Sequence, residues 1–265
     1  MAALSARGLT GLPEIAAGDD LAALIVASLG EEPLRDGQVV AIAHKAVSKA
    51  EGAVVALAEV RATARARELA VTHPDGGEGR DPRAVQVVLD QSSEILRAER
   101  GVLICRTHHG FVCANAGVDA SNTSAEDGVE TLVTLPLDPD ASARRIRARL
   151  RELTAADGRA PVAPAVLISD SFGRAWRHGQ VDIALGLAGM QPLDDWRGRT
   201  DAGGLELRAT WLAVADAAAA TADLARAKDS REPVVILDGL ERFVTVEDGP
   251  GAVALLRPLE EDLFR

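Results

Sequence analysis

Polar residues that could bind a divalent cation or a phosphate group follow three apolar runs of the sequence. The first run is followed by Asp119 and Asn122, the second by Asp170 and Ser171, and the third by His44, Lys45 and Lys49. Carboxylate, hydroxyl and amide oxygens are the ligands that Mg²⁺ and Mn²⁺ prefer, and these ions usually share their coordination with substrate phosphates. Two acidic positions accompanied by lysines therefore predict a metal-assisted reaction of a phosphate.

The same acidic positions also fit ordinary structural roles. Asp119 and Asn122 are suited to an Asx-turn or a helix cap, and Asp170 is suited to capping the segment that follows it. The residue types alone therefore leave a metal site and a set of local caps as open alternatives.

Apolar patterning predicts the elements that must position these residues. Segment 18–30 has a capping Asp followed by apolar residues at helical spacing, and Gly30 is placed to end the helix. Segment 37–52 begins as a buried strand, "VVAIA", and then turns polar. Helical periodicity extends over 83–98.

Segment 101–117 is predicted to form two strands joined by a turn at His108 and His109. Two adjacent turn residues rarely face the same way, which favours turn residues over metal ligands. Cys105 and Cys113 lie in apolar runs without C-x-x-C spacing, so buried thiols in a reducing compartment are the simplest interpretation.

The second half of the chain continues to mix helices and strands. Segment 140–158 predicts an amphipathic helix surrounded by arginines, and a solvated surface helix is favoured over one that binds membranes or acidic partners. Segment 160–189 starts as a buried strand that delivers Asp170 and Ser171 to its end. A helix at about 212–228 and a strand at 233–239 follow. This order predicts an α+β, or mixed α/β, fold.

Composition limits the classes of protein and of partner. The chain has 265 residues, 47% of them hydrophobic and 26% charged, which is typical of a globular protein with one or two domains. Its net charge of −11 argues against nucleic acid as the main partner. No signal peptide or membrane-length apolar run is recognisable, so a cytoplasmic protein without membrane attachment is expected.

Common nucleotide-binding and hydrolase motifs are absent from the sequence. It contains no G-x-x-x-x-G-K-[ST], no G-x-G-x-x-G after a strand, no H-E-x-x-H and no G-x-S-x-G. The glycine-rich stretch at 75–81 is interpreted as a loop, because it follows no strand and opens no helix.

A series of longer motifs occurs in a fixed order along the chain. They are "LPEI" at 12–15, "GDDLAALI" at 18–25, "HKAVSKAEG" at 44–52, "HGFVCANAGVDASN" at 109–122, "SDSFGRAWRHGQVDIALGLAG" at 169–189 and "DWRGRTD" at 195–201. Together they closely resemble the coenzyme F420-0:L-glutamate ligase family, from Leu12 to about Gly239.

The resemblance implies a GTP-dependent amide ligation. Such enzymes add L-glutamate to the lactyl carboxylate of F420-0, then further glutamates through γ-linkages, and release GDP and phosphate after activating the carboxylate as an acyl phosphate. It also implies Mg²⁺ or Mn²⁺, two ions per site, with K⁺ as a further candidate. Divalent ions would neutralise the developing charge while lysines steady the transferring group.

The resemblance also implies roles for particular residues. The guanine-nucleotide contacts fall on Leu12, Pro13, Glu14, Ile15, His44, Lys45, Lys49 and Asn122. The metal ligands fall on Asp119, Asp170 and Ser171, and the residues expected to carry catalysis are Asp119, Asp170 and Lys49. The whole chain, 1–265, would be one ligase unit, with two subdomains as an open alternative, mixed sheets, an intertwined homodimer and no appended nitroreductase domain.

Three positions depart from the family's pattern. His44 stands where a small hydroxyl residue is common, so a nucleotide contact there could come from backbone alone. Trp196 replaces a Tyr. Lys228, in "ARAKDS" at 225–230, falls near a metal-binding Gln of the family, which puts the second metal site in doubt, with compensation by Asp229 as the alternative.

Further residues near the Asp170 motif have open roles. Arg174, Arg177 and His178 are candidates for binding the substrate phosphodiester or carboxylates, against an equal expectation of solvated surface residues. Trp176 is interpreted as a core residue, with stacking on the deazaflavin ring as the alternative. For the whole chain, a related ligase with another acceptor and a non-catalytic nucleotide-binding protein are the rival hypotheses.

Overall fold

The computed structural model describes residues 3–71, 79–119, 130–155, 161–227 and 229–262. The α-helices are α1 (Leu21–Ser28), α2 (His44–Ala50), α3 (Ala64–Ala70), α4 (Pro82–Asp90), α5 (Pro139–Ala155) and α6 (Val214–Ala225). The strands are β1 (Ser5–Gly8), β2 (Val39–Ala43), β3 (Val54–Ala56), β4 (Ser92–Glu99), β5 (Val102–Thr107), β6 (Val112–Ala114), β7 (Thr131–Val133), β8 (Ala165–Arg174), β9 (Arg177–Ala188), β10 (Leu193–Asp195), β11 (Trp211–Ala213) and β12 (Val234–Asp238). Helices and strands are mixed along these ranges, and the predicted α+β class is confirmed.

A five-stranded mixed sheet lies at the centre of the described chain, in the order β1-β12-β2-β8-β9. β2 and β8 are parallel, with Ala43 opposite Ser169, whereas β12 is antiparallel to β2 and β9 is antiparallel to β8. β4, β5 and β6 form a three-stranded sheet, and β3–β7 and β10–β11 form two small ones.

Each face of the central sheet is covered by helices, because successive side chains of a strand point to opposite faces. On one face, Val40 and Ile42 of β2 pack in a core cluster with residues of α1 and α5. On the other face, Val39 and Ala41 pack with the alanines of α6. Small side chains allow α6 to lie close to the sheet, and the helix predicted at 212–228 and the strand predicted at 233–239 are both confirmed.

The predicted elements of the first half are mostly confirmed. α1 begins at the Asp20 cap, whose carboxylate accepts a hydrogen bond from the N–H of Ala23, and Gly30 follows the helix with a φ of +62°. The strand at "VVAIA" is β2, and the polar residues after it form α2. The hairpin predicted over 101–117 is β5 and β6, joined by the turn at His108 and His109.

The helix predicted over 83–98 is wrong in its second half. α4 ends at Asp90, and Ser92–Glu99 is β4, paired antiparallel with β5. Register shifts between Ser92 and Glu94 and between Ile95 and Arg97 interrupt the two-residue alternation of the strand. Because of these irregularities, the spacing of apolar residues does not indicate a strand here. Pairing with β5 outweighs the local helical pattern.

The basic helix predicted at 140–158 is α5, but its arginines are not all solvated. Arg147 is only 1% exposed. Its guanidinium donates hydrogen bonds to the carbonyl oxygens of Pro164 and Thr245 and forms a 2.7 Å ion pair with Asp248. An arginine of α5 therefore joins the segment before β8 to the C-terminal part of the chain.

The strand that carries Asp170 and Ser171 does not end at those residues. β8 continues to Arg174, and the sequence prediction of a strand end there is wrong. The pairing of β8 with β9 is irregular between Ile168 and Ser169, and the hairpin becomes exposed only at its tip, over 173–180.

In the ranges covered by the structure, every helix is too short or too polar to cross a lipid bilayer.

Candidate functional site

The site begins at the junction of β2 and α2. Ala43 has an extended backbone, and His44 is the first residue of the helix. Because β2 and β8 are parallel neighbours with Ala43 opposite Ser169, the first turn of α2 lies beside Asp170. The register of one strand pair thus brings together two motifs that are more than a hundred residues apart in sequence.

His44 and Asp170 form the buried part of the site. Nε2 of His44 lies 3.4 Å from Oδ1 of Asp170, in a contact that lacks hydrogen-bond geometry, and Nδ1 lies 3.4 Å from Oγ of Ser48. Burial lowers the pKa of His44, although the nearby Asp170 carboxylate opposes that shift. Burial also raises the pKa of Asp170, against the opposing influence of His44.

Lys45 connects α2 to the segment that follows β6. Its Nζ lies 2.6 Å from Oδ2 of Asp119. The backbone of Asp119 exchanges two hydrogen bonds with Val133, the N–H of each residue donating to the carbonyl of the other. The carboxylate of Asp119 is therefore presented to α2 from a fixed backbone.

The turn that precedes Asp119 has an unusual backbone. Asn115, Ala116 and Gly117 all have φ between +52° and +71°, a region that favours glycine and is disfavoured for most other residues. The side-chain oxygen of Asn115 accepts a 2.9 Å hydrogen bond from Arg80, which stabilises the turn. A Cβ on Gly117 would approach Leu135 to 2.8 Å, so the turn also packs too closely for a larger residue.

The loop at 12–15 lies against the other end of α2. Nζ of Lys49 is 2.5 Å from Oε1 of Glu14, and the N–H of Gly18 donates a 2.8 Å hydrogen bond to the carbonyl of Ala50. Ile15 is buried in the core, whereas Pro13 and Glu14 are exposed. The residues predicted to contact the nucleotide at 12–15, 44, 45 and 49 therefore lie along one helix and its neighbouring loop.

Ser171 faces the side of the sheet opposite Asp170. Oγ of Ser171 donates a 2.6 Å hydrogen bond to Oδ1 of Asp182, and Oγ of Ser169 donates one of 2.7 Å to Oδ2 of the same carboxylate. Arg226, just after α6, donates to Oδ2 of Asp182 at 2.5 Å. The predicted metal ligands are thus divided, with Asp119 and Asp170 on the α2 side and Ser171 on the α6 side.

The donor chemistry on the α2 side fits a hard divalent cation. Asp119 and Asp170 offer carboxylate oxygens, while Lys45 and His44 occupy their surroundings. Across the described ranges, no three His, Cys, Asp or Glu side chains are grouped closely enough to hold a metal ion by themselves. A cation bound here would complete its coordination with substrate oxygens, as Mg²⁺ commonly does.

The candidate substrate residues lie at the tip of the β8–β9 hairpin. Arg174 and Arg177 are paired there, and Arg174 donates a 2.6 Å hydrogen bond to the carbonyl of His178. Arg174 is four positions after Asp170, which corresponds to roughly 13 Å along a strand. Trp176 is 82% exposed with a φ of +59°, so the prediction of a core residue is wrong, because the hairpin tip leaves the core.

Other predicted residues lie elsewhere. Asn122, Lys228 and most of the loop at 75–81 fall outside the described residues. Trp196 donates a 2.8 Å hydrogen bond to Asp194 in the segment after β10. The N–H of Gly110 donates a 3.0 Å hydrogen bond to the carbonyl of Thr107, which confirms the turn at His108 and His109. The rings of both histidines form hydrogen bonds with backbone carbonyl oxygens, and both cysteines are buried as predicted. Burial raises the pKa of Cys113 to about 12.

Sequence reasoning missed Asp182 and Arg226. Asp182 is an acid inside the apolar run "VDIALGLA", where an unpaired charge would be costly. This position in the sequence indicates that Asp182 needs a buried partner. Arg226 carries no comparable signal, because its partner is 44 residues away in sequence.

Comparison with known proteins agrees with these motifs. Residues 10–239 match the family model described as F420-0:Gamma-glutamyl ligase. A protein named coenzyme F420:L-glutamate ligase from Methanothermobacter thermautotrophicus is 43% identical, over 99% of both chains. Proteins with the same name from Methanopyrus kandleri and Halobacterium salinarum are 42% and 41% identical, over 94% and 99% of this chain and 92% and 96% of their own. The chain therefore belongs to the F420-0:gamma-glutamyl ligase family.

Proposed function

We propose that the protein is a GTP-dependent ligase that adds L-glutamate to the lactyl carboxylate of F420-0 and then extends the product through γ-linkages. One observation carries the proposal: in a chain of this family, the register of β2 and β8 gathers His44, Lys45 and Asp170 at one edge of the sheet, where Lys45 meets Asp119. Two acids and a lysine from separate motifs are the groups that phosphoryl transfer requires.

The proposed reaction has two steps. An oxygen of the lactyl carboxylate attacks the γ-phosphorus of GTP, the bond to the β-phosphate oxygen breaks, and GDP leaves. The uncharged amine of glutamate then attacks the acyl carbon, the bond to the phosphate breaks, and the amine loses a proton as the amide forms. Activation is needed because an oxide ion is a very poor leaving group.

The residues of α2 would place the nucleotide. The side chains of Lys45 and Lys49 are 23% and 17% exposed. The methylene groups of each lysine are therefore largely buried, while its ammonium group can reach a ligand. The side chain of His44 is buried against Asp170, and its contribution to nucleotide binding would come from the backbone, as its departure from the family's pattern suggests. Leu12, Pro13, Glu14 and Ile15 would contact the guanine nucleotide from the adjoining loop, with Asn122 as a further predicted contact.

Asp119 and Asp170 would hold a Mg²⁺ or Mn²⁺ ion. Such an ion, when bound, neutralises charge on the transferring phosphoryl group. Arg174, Arg177 and His178 remain candidates for the phosphodiester or carboxylates of F420-0, since an arginine fork matches these anions.

A single assay tests the proposed activity. The protein is incubated with F420-0, GTP, L-glutamate and Mn²⁺ or Mg²⁺, and the coenzyme is analysed by mass spectrometry. We expect added glutamyl units that depend on GTP. GTP hydrolysis without a mass increase would indicate another acceptor, and GTP binding without turnover would indicate a nucleotide-binding protein that is not a ligase.

We also propose that the protein is a homodimer, as the family resemblance implies. Apolar side chains at 205–212 support this proposal, because Leu205, Trp211 and Leu212 are all substantially exposed. Light scattering after size-exclusion chromatography would test it, and a monomeric mass at micromolar concentration would contradict it.

A further inference from the structure

A fixed positive charge lies on the Ser171 side of the central sheet. Nη2 of Arg226 is 2.5 Å from Oδ2 of Asp182 and 3.1 Å from Oγ of Ser169. Nη1 donates a 3.3 Å hydrogen bond to the carbonyl of Pro233, which also accepts from the N–H of Ala43. The guanidinium therefore sits over the end of β2, on the face of the sheet covered by α6.

This ion pair is buried. The side chains of Arg226 and Asp182 are 9% and 5% exposed. Arg226 occupies the position just after α6, where its backbone N–H still donates to the carbonyl of Asp223. Both partners are thus attached to regular elements, and the charge is held in place before any ligand binds.

Both carboxylate oxygens of Asp182 already accept hydrogen bonds. Oδ1 accepts from Ser171, and Oδ2 accepts from both Ser169 and Arg226. A divalent ion placed beside Ser171 would lie next to a guanidinium in surroundings of low dielectric constant, where like charges repel strongly. The described residues of the α6 side therefore do not fit a second metal ion, whereas the α2 side offers Asp119 and Asp170.

We propose that Arg226 is the resident cation of the α6 side and that the protein binds one divalent ion per active site, at Asp119 and Asp170, instead of two. The inference rests on the proposed function, which requires the divalent ion. Arg226 acts as a positioning residue, because it holds Asp182 and, through Asp182, the hydroxyls of Ser169 and Ser171. An acid flanked by two hydroxyls would otherwise be a set of oxygen ligands open to a metal.

The number of bound ions tests this inference directly. Mn²⁺ is titrated into the full chain with saturating GDP, and free Mn²⁺ is followed by electron paramagnetic resonance. We expect one Mn²⁺ per wild-type chain. Arg226→Gln removes the charge but keeps a hydrogen-bonding group, and should bind a second ion. Arg226→Lys keeps the charge and should still bind one.

Arg197→Gln is the matched control, because Arg197 is a half-exposed arginine that forms its ion pair with Asp195. Its stoichiometry should equal that of the wild type. Two ions bound by the wild type or by Arg226→Lys would overturn the inference, as would a folded Arg226→Gln that binds only one. If Arg226→Gln does not fold, the inference is tested by the number of Mn²⁺ ions that the wild type and Arg226→Lys bind. A wild type that binds no Mn²⁺ would instead overturn the proposed metal site, and this inference with it.

Discussion

Nζ of Lys45 lies 2.6 Å from Oδ2 of Asp119, so the first turn of α2 is joined directly to the acid presented by the segment after β6. Both side chains are partly exposed, at 23% and 41%. An exposed pair of this kind is worth only about 0.2–1 kcal/mol to folding. The pair is therefore expected to matter mainly for ligand binding. Its contributions to folding stability and to ligand binding can be separated by mutation.

Asp119→Asn is expected to abolish ligation while leaving the fold intact. The amide keeps the size of the side chain but removes the charge that would hold a divalent ion. Stability should fall by less than about 1 kcal/mol, since only an exposed ion pair is lost. The mass-spectrometric assay, Mn²⁺ binding and urea denaturation measure the three effects. Retained ligation at the wild-type rate would remove Asp119 from the metal site.

Lys49→Met should weaken GTP binding by about tenfold or more, which corresponds to at least 1.4 kcal/mol. The methionine retains the apolar stem but loses the charge that would face the phosphates. Arg65→Met is the control, because it also removes an ion pair with a surface glutamate, Glu68, and both of these residues lie on α3. Isothermal titration with GTP should distinguish the variants. Equal affinities for both would show that Lys49 does not contact the nucleotide.

Protonation of His44 should destabilise the protein on the acid side of neutrality. Burial lowers the pKa of His44 below the ordinary value of 6.5, so the unfolded chain binds the proton more readily than the folded chain. Stability is therefore present above pH 6.5 and is lost as the pH falls from there towards the folded-state pKa, with a slope of up to about 1.4 kcal/mol per pH unit.

The measurement is urea denaturation in EDTA between pH 5 and pH 8. His44→Gln should show a shallower dependence on pH in that range. His178→Gln, which alters an exposed histidine, should keep the wild-type slope. The raised pKa of Asp170 acts with the opposite sign, and His44→Gln removes the influence of His44 that opposes it, which makes the pH dependence of that variant shallower still. If stability depends on pH in the same way in the wild type and in His44→Gln, the acid destabilisation does not come from His44.

Two glycines with the same backbone conformation should respond differently to alanine. Gly189 and Gly198 have φ of +76° and +77°, so each substitution costs about 1–2 kcal/mol in backbone strain. A Cβ on Gly189 would come within 2.3 Å of the Arg147 guanidinium, whereas a Cβ on Gly198 meets nothing within 4 Å. Gly189→Ala should therefore lose about 1–3 kcal/mol more than Gly198→Ala. Equal midpoints in urea would show that Arg147 can move aside.

The junction of β2 and α2 could be predicted from the sequence because its signals are local. "VVAIA" is a continuous apolar run, and the polar residues after it mark the point where a buried strand ends. The hairpin at His108 and His109 is local in the same sense. The motifs on these elements also carried the family resemblance, so the residues that lie together on the α2 side could be named from the sequence, while their roles stay predictions.

The α6 side could not be predicted in this way, because it depends on pairing between distant segments. Arg226 meets Asp182 only when α6 lies on the sheet, and neither residue belongs to a recognisable local pattern. Similarly, β4 is a strand because β5 pairs with it, although its own spacing is helical. The division of Asp170 and Ser171 between two faces follows from the continuation of β8, which the sequence did not indicate.

The parallel pairing of β2 with β8 also determines where the chain can change in length. Ala43 lies opposite Ser169, and the approach of His44 to Asp170 depends on that register. One residue inserted within either strand would turn every later side chain of that strand to the opposite face. Residues inserted at the hairpin tip, between Arg174 and Arg177, would leave the register unchanged. Insertions and deletions among homologous chains should therefore avoid β2 and the first half of β8.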